Sequence, residues 1–353
     1  MTFREIQTPA LAVINDRMEY NLDKMSSFFK DRRKTKLRPH YKSHKCADIA
    51  RMQIERGACG ITCSKLSEAQ DLASNGICDI LIANEIVQPQ KLFELALLAR
   101  TTKLTVCVDC ESNIKALSAA ASATLSVVGC YIEFDLGMDR CGVKEFGEVY
   151  RLVCLVQSSP ALEYRGIQAY SGNLSHEFDR ARRESGFVTN RERLTGLVYY
   201  LEQRGIKTAE ISGESTGTYY LNDDSTVFTE IQAGSYVFMD RNYSKMDLDF
   251  RNSLFVISTV VSSSDGKFVL DAGLKSISSD QGYPMVCGWD YDRAEFSEEH
   301  ITFFGDHSYK TGDTVLLLPG HCCTTVNLYD EMYRIQGERV LGKMRITSRG
   351  KSR

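Results

Sequence analysis

Short apolar runs alternate with amphipathic helical patterns over the first two thirds of the chain. The runs fall at 37–42, 60–64, 79–84, 103–109, 127–136, 164–170, 208–213 and 229–234. Helical periodicity occupies 65–74, 88–100, 111–121, 144–157 and 177–203. Strands that are apolar throughout and alternate with helices imply parallel pairing, with helices covering the sheet. Eight such runs predict an α/β fold, a (β/α)8 TIM-type barrel. An earlier apolar run, Ala10-Leu11-Ala12-Val13-Ile14, leads into a helix with Met18, Leu22, Met25 and Phe28-Phe29 on one face.

After Ser235 the texture changes. The runs at 255–261, 267–271, 300–304, 314–318 and 332–336 are β-type, with Gly, Asp and Ser turns and no long helical pattern between them. This predicts a C-terminal all-β domain. The expected division is a barrel over 8–234 and a β-domain over 235–353, which residues 1–7 could join because chain ends often meet.

A length of 353 residues with 43% hydrophobic content suits a barrel with an appendage. The net charge of −3 gives no general attraction to nucleic acid or to an anionic membrane. No apolar run is long enough to cross a bilayer. Twelve cysteines are scattered mostly singly, and Met1-Thr2-Phe3-Arg4-Glu5 has no apolar signal core. Reduced thiols and a cytoplasmic location are expected. Cys107 and Cys110 form a C-x-x-C that no second pair completes as a zinc ribbon.

Barrel enzymes place their chemistry at the C-terminal ends of strands. Arg38-Pro39-His40-Tyr41-Lys42-Ser43-His44-Lys45-Cys46 stands at the end of the first barrel run. A lysine at a buried strand end must lower its pKa or react, which makes Lys42 a candidate Schiff-base residue. A basic solvated turn is the alternative. Ser212-Gly213-Glu214-Ser215-Thr216-Gly217-Thr218-Tyr219 follows the seventh run, and its glycines, hydroxyls and N–H groups suit a phosphate or an ordinary polar turn. Gly137-Met138-Asp139-Arg140-Cys141-Gly142 offers an arginine for a phenolate or carboxylate.

In the β-domain, His321 and Cys323 are two apart, so an extended segment would point both the same way. Imidazole and thiolate form a soft pair suited to Zn²⁺, completed by water, substrate or a carboxylate such as Asp330. A buried thiol and a capping histidine would carry the same pattern.

As a set, these motifs resemble the PLP-dependent alanine-racemase-like fold, and within it the D-threonine aldolase and D-serine dehydratase family. The likeness runs nearly end to end. It includes Asn84-Glu85-Ile86-Val87, Gln168-Ala169-Tyr170, Gln232-Ala233-Gly234-Ser235-Tyr236 and Asp271-Ala272-Gly273-Leu274-Lys275-Ser276. The resemblance implies pyridoxal 5′-phosphate on Lys42, Arg140 near its phenolic oxygen and Tyr170 against its ring. It implies Gly213, Ser215, Thr216, Gly217, Thr218 and Tyr219 around its phosphate, with Gln232 in the cofactor site. It also implies a divalent metal on His321 and Cys323, with Zn²⁺ favoured over Mn²⁺ or Mg²⁺, and a homodimer.

Two positions depart from the aldolase pattern. His321-Cys322-Cys323 has the His-x-Cys form of the dehydratases rather than His-x-Asp. Ser171 stands where the aldolases carry a histidine, leaving His176 or metal-bound water as the base. The implied activity is cleavage of a small β-hydroxy-D-amino acid to glycine and an aldehyde. Dehydration to a 2-oxo acid and ammonia is the alternative. A racemase has no evident use for the metal pair, and PLP carriers of this fold lack the β-domain.

Overall fold

The computed structural model describes residues 1–32, 34–223 and 226–353. Strands are numbered β1 to β17 and helices α1 to α9 in chain order. The barrel unit comprises residues 26–42, 50–234 and 351–353. Its strands are β2 (Lys36–Leu37), β3 (Ile61–Cys63), β4 (Asp79–Glu85), β5 (Lys103–Val108), β6 (Val128–Glu133), β7 (Leu162–Ala169), β8 (Glu210–Gly213) and β9 (Glu230–Ile231). They form one eight-stranded sheet in the order β2-β9-β8-β7-β6-β5-β4-β3, parallel at every pairing. A parallel bridge between His40 and Thr62 joins the two ends and closes the barrel.

All six residues of β6 are buried, as expected for a strand enclosed on both faces. Gly213 has no room for a side chain: a Cβ there would lie 2.2 Å from the Ala169 carbonyl oxygen. The helices α3 (Leu66–Ser74), α4 (Pro89–Leu98), α5 (Glu111–Ala123), α6 (Phe146–Ser158) and α8 (Arg180–Glu202) follow the predicted alternation. The last of these starts where Asp179 accepts from the Arg182 N–H at 3.0 Å, an N-cap. The short α7 (Gly172–Ser175) lies between β7 and α8.

The second unit comprises residues 1–25, 43–49 and 235–350. Its nine-stranded sheet runs β13-β14-β11-β10-β1-β16-β17, with β15 pairing β10 and β12. These strands are β1 (Ala10–Ile14), β10 (Leu254–Ser264), β11 (Lys267–Leu270), β12 (Met285–Val286), β13 (Arg293–Phe296), β14 (Ile301–Phe304), β15 (Thr314–Leu318), β16 (Glu331–Gln336) and β17 (Arg339–Arg345). All pairings are antiparallel except β1 with β16. The helix α9 (Cys322–Val326) follows β15. The helices α1 (Asn15–Lys30) and α2 (Ala47–Glu55) complete the chain.

The sequence boundary at residue 8 grouped Ala10–Ile14 with the barrel; the strand belongs instead to the second sheet. The barrel closes with eight strands and offers no free edge. The apolar β1 finds partners on both sides, antiparallel to β10 and parallel to β16. No described helix is long and apolar enough to cross a membrane.

Candidate active site

The C-terminal ends of the barrel strands surround a polar cavity. It is lined by His40, Lys42, Ser64, Lys65, Ala83, Asn84, Arg140, Gln168, Tyr170 and Gln232. Tyr170 directly follows β7, and two cations approach its ring. The Lys42 ammonium is 5.6 Å from the ring centroid and the Arg140 guanidinium 5.9 Å. The Tyr170 hydroxyl and Ser175 Oγ are 3.2 Å apart, which ties the ring to α7.

Lys42 does not sit on a buried strand, as the sequence suggested. Strand β2 ends at Leu37, Pro39 supplies no N–H, and Lys42 lies exposed in a single turn spanning Tyr41–Ser43. Its backbone N–H meets His40 Nδ1 at 3.3 Å, and His40 Nε2 lies 3.3 Å from Ser64 Oγ. An accessible amine at the cavity wall can reach a carbonyl without prior burial. Also on the cavity wall, Gln232 donates through Nε2 to Gln168 Oε1 at 2.7 Å and Ser212 Oγ at 2.9 Å.

Arg140 lies on a loop that Asp135 holds by accepting N–H groups of Gly137, Met138 and Asp139. Burial works against that carboxylate, but these bonds outweigh it and its pKa is lowered. The Arg140 guanidinium is half exposed and 4.0 Å from Glu133. Burial first, then Glu85, push the Glu133 carboxyl up to about 8. Glu85, Asp109 and Cys141 also converge nearby, their ligand-type atoms within 4.8 Å of one another.

The 213–219 loop is buried and folded on itself. Ser215 N–H donates to Thr218 Oγ1 at 3.1 Å, and Gly217 N–H to Ser215 Oγ at 3.2 Å. Thr216 and Tyr219 are also buried in it. None of these residues lines the cavity described above; Gln232 does. Glu214 occupies a left-handed backbone conformation, φ 62°, with both carboxyl oxygens buried and without a hydrogen-bond partner.

Burial pushes the Glu214 carboxyl up from 4.5 to about 7. A carboxyl raised in this way favours folding while protonated, and that contribution is lost as pH rises from 4.5 through 7. The loss is on the order of 3 kcal/mol. Glu214→Gln is therefore expected to unfold at the wild-type denaturant midpoint near pH 4.5 and at a clearly higher one at pH 8. Parallel curves at both pH values would count against this reading.

Two further sequence candidates fall elsewhere. Ser171 is buried, with Oγ lacking a hydrogen-bond partner, and His176 forms the C-terminal cap of α7. Neither lines the cavity. His40, Ser64, Asn84 and Gln168 do line it. Their signal was present in the Arg38–Cys46 stretch, the polar strand ends and Gln168-Ala169-Tyr170.

In the second unit His321 caps α9, which begins at Cys322, so the pair is not in an extended segment as expected. The helical turn nevertheless keeps imidazole and thiol together. Burial opposes a charged His321 ring, but the Cys323 and Asp280 contacts overcome it and raise the pKa to about 9. Imidazole nitrogen and thiol sulfur thus stand together at the start of α9 with the Asp280 carboxylate on the ring, a donor set that fits a soft divalent metal. The Cys323 Sγ also lies 3.6 Å from Ser43 Oγ and 3.8 Å from Ser235 Oγ.

The carboxylate beside His321 is Asp280, at 2.8 Å, and not Asp330. Asp330 pairs with Arg349 at 3.6 Å. Asp240 fixes the loop by accepting the Cys322 N–H at 3.0 Å. All twelve cysteines are free thiols, and Cys107 is buried while Cys110 is exposed, so the C-x-x-C forms no common site.

The barrel accordingly offers an accessible amine, an aromatic face and an arginine, which fit an aldehyde-bearing aromatic cofactor with a phenolic oxygen. Comparison with known proteins agrees. Residues 13–242 match the family Alanine racemase, N-terminal domain, and residues 253–335 match a serine dehydratase domain.

The chain is 35% identical to 3-hydroxy-D-aspartate aldolase of Paracoccus denitrificans (strain Pd 1222), over 98% of this chain and 93% of that relative. It is 36% identical to D-threonine aldolase of Arthrobacter sp, over 99% and 94%. The crystal structure of D-threonine aldolase from Filomicrobium marinum superposes with a TM-score of 0.97 at 32% identity, covering 100% of this chain and 98% of that one. D-threo-3-hydroxyaspartate dehydratase of Delftia sp. (strain HT23) is more distant, at 28% over 92% and 93%. The chain belongs to the D-threonine aldolase and D-serine dehydratase family of PLP-dependent lyases, with the alanine racemase-like fold.

Proposed function

We propose that the protein is an aldolase that cleaves small β-hydroxy-D-amino acids to glycine and an aldehyde, using PLP and a divalent metal. The observation that carries this reading is the Lys42–Tyr170–Arg140 arrangement within a chain aligned end to end with aldolases. Bound PLP supplies an electron sink for charge left at Cα when the Cα–Cβ bond breaks.

The chain's residues do the rest. Lys42, whose amine lines the cavity, would hold the cofactor through its aldehyde. Arg140 would balance the phenolic oxygen, Tyr170 would support the ring, and Gln232, which also lines the cavity, would contact the cofactor. The hydroxyls and N–H groups of the 213–219 loop would hold the phosphate. His321 and Cys323 would hold the metal, Zn²⁺ suiting nitrogen and sulfur best, and that ion would polarise the substrate hydroxyl as a Lewis acid. Ser171 is buried and His176 does not line the cavity, so neither is assigned as the base.

The His-x-Cys pair favours one second reading, a dehydratase in which Lys42 takes the Cα proton. The two are separated by incubating the PLP-loaded enzyme with D-threonine and Zn²⁺. Acetaldehyde and glycine are expected. Formation of 2-oxobutyrate and ammonia instead would replace the aldolase reading with the dehydratase. A cytoplasmic location, in keeping with free thiols, and a homodimer belong to the same proposal.

A further inference from the structure

We infer that Asp280 is a positioning residue of the metal site: its carboxylate fixes the His321 imidazole so that the ring's second nitrogen serves the cation together with Cys323. The inference rests on the proposal that His321 and Cys323 hold the metal.

The geometry is complete on both sides of the carboxylate. Asp280 Oδ2 lies 2.8 Å from His321 Nδ1. Oδ1 accepts from Ser278 Oγ at 2.6 Å and Thr324 Oγ1 at 2.9 Å. The two chain segments involved are joined closely. Thr324 lies on α9 next to Cys323, and Ser278 N–H donates to Thr325 Oγ1 at 3.2 Å. Gly320 approaches Gly282 so tightly that a Cβ would come within 2.1 Å of the Gly282 carbonyl oxygen. Asp280 is thus held on three sides although its side chain is 43% exposed.

A carboxylate that accepts Nδ1–H selects one tautomer and leaves the Nε2 lone pair for a cation. It also makes that nitrogen a better donor. The ring meets Cys323 as well as Asp280. An exposed aspartate with no such purpose would be expected to face water rather than accept two hydroxyls and an imidazole.

The test is Zn²⁺ affinity of the metal-free protein, measured by competition with a chromophoric chelator. Asp280→Ala is expected to weaken binding about 10–100-fold, with Asp280→Asn intermediate because its amide oxygen can still accept Nδ1–H. Thr324→Val, which loosens Asp280 without touching its carboxylate, should lose part of the affinity. The Zn²⁺ concentration for half-maximal activity should rise in step, while kcat at saturating metal stays near wild type. A purely structural role would instead lower the thermal midpoint and leave Zn²⁺ affinity unchanged, which would overturn the inference. If His321→Ala binds Zn²⁺ as wild type does, the metal assignment itself falls, and the inference with it.

Discussion

Lys42→Ala is expected to remove the absorbance of PLP bound to the protein amine and to lower turnover by at least about 10²–10⁴-fold. The size of the effect follows from the lack of an equivalent group. Lys65 is the other lysine lining the cavity. Its backbone is committed to the start of α3, where its N–H meets Glu68 Oε2 at 3.2 Å. The Lys42 ammonium lies 5.6 Å from the Tyr170 ring centroid, the same ring that Arg140 approaches. Lys65→Ala should therefore keep the band and most of the activity. Loss of the band in Lys65→Ala and its persistence in Lys42→Ala would transfer the role to Lys65. Both variants are surface-accessible truncations, so circular dichroism should show them folded.

The rhythm of apolar runs made the barrel legible because a parallel strand enclosed on both faces has to be apolar throughout. The same rule could not assign Ala10–Ile14. An apolar strand states that it is buried, not which sheet buries it, and here the partners are some 240 and 320 residues away. The site was legible where chemistry is carried by one residue type in one place, as with Lys42, Arg140 and His321. It was hidden where a residue acts through geometry. Asp280 sits in an ordinary Ser-Ser-Asp turn, 41 residues before the histidine it contacts. Asp330, nearer in sequence, was the natural guess and is turned toward Arg349 instead.

The crowded stretch from Arg38 to Cys46 shows the same limit from another side. Its cations look alike in sequence, yet they serve different ends. Lys42 opens on the cavity at the C-terminal ends of the strands. Arg38 is buried, and its partners are the residues that begin β4 and β9.

Arg38→Met is accordingly expected to cost stability rather than chemistry, by about 3–5 kcal/mol. Arg38 Nη1 donates to Asp79 Oδ1 and Nη2 to Glu230 Oε1, both at 2.7 Å, with the guanidinium side chain only 5% exposed. Burial opposes the charge, and the two carboxylates more than offset it, so the Arg38 pKa is raised. Tyr131 donates to Glu210 at 2.8 Å and to Glu230 at 3.2 Å, extending the network across the barrel. Even the neighbouring backbone is shaped to it: a Cβ at Gly60 would fall 2.0 Å from Arg38 Nη1. Methionine fills the volume but leaves Glu230 buried without its cation, which is the costly part. Arg38→Lys should recover only some of the loss, since one ammonium cannot bridge both carboxylates in two planar directions. The sign of the pH dependence follows from Asp79, whose carboxyl is lowered from 3.8 because Arg38 and Lys103 together exceed the effect of burial. Its contribution is present above pH 3.8 and is lost as pH falls below it, so the gap between wild type and Arg38→Met should narrow in acid. Urea unfolding at pH 7.5 and pH 3.5 measures both quantities. A midpoint unchanged by the substitution at pH 7.5 would mean that the ionic layer is replaceable by apolar packing.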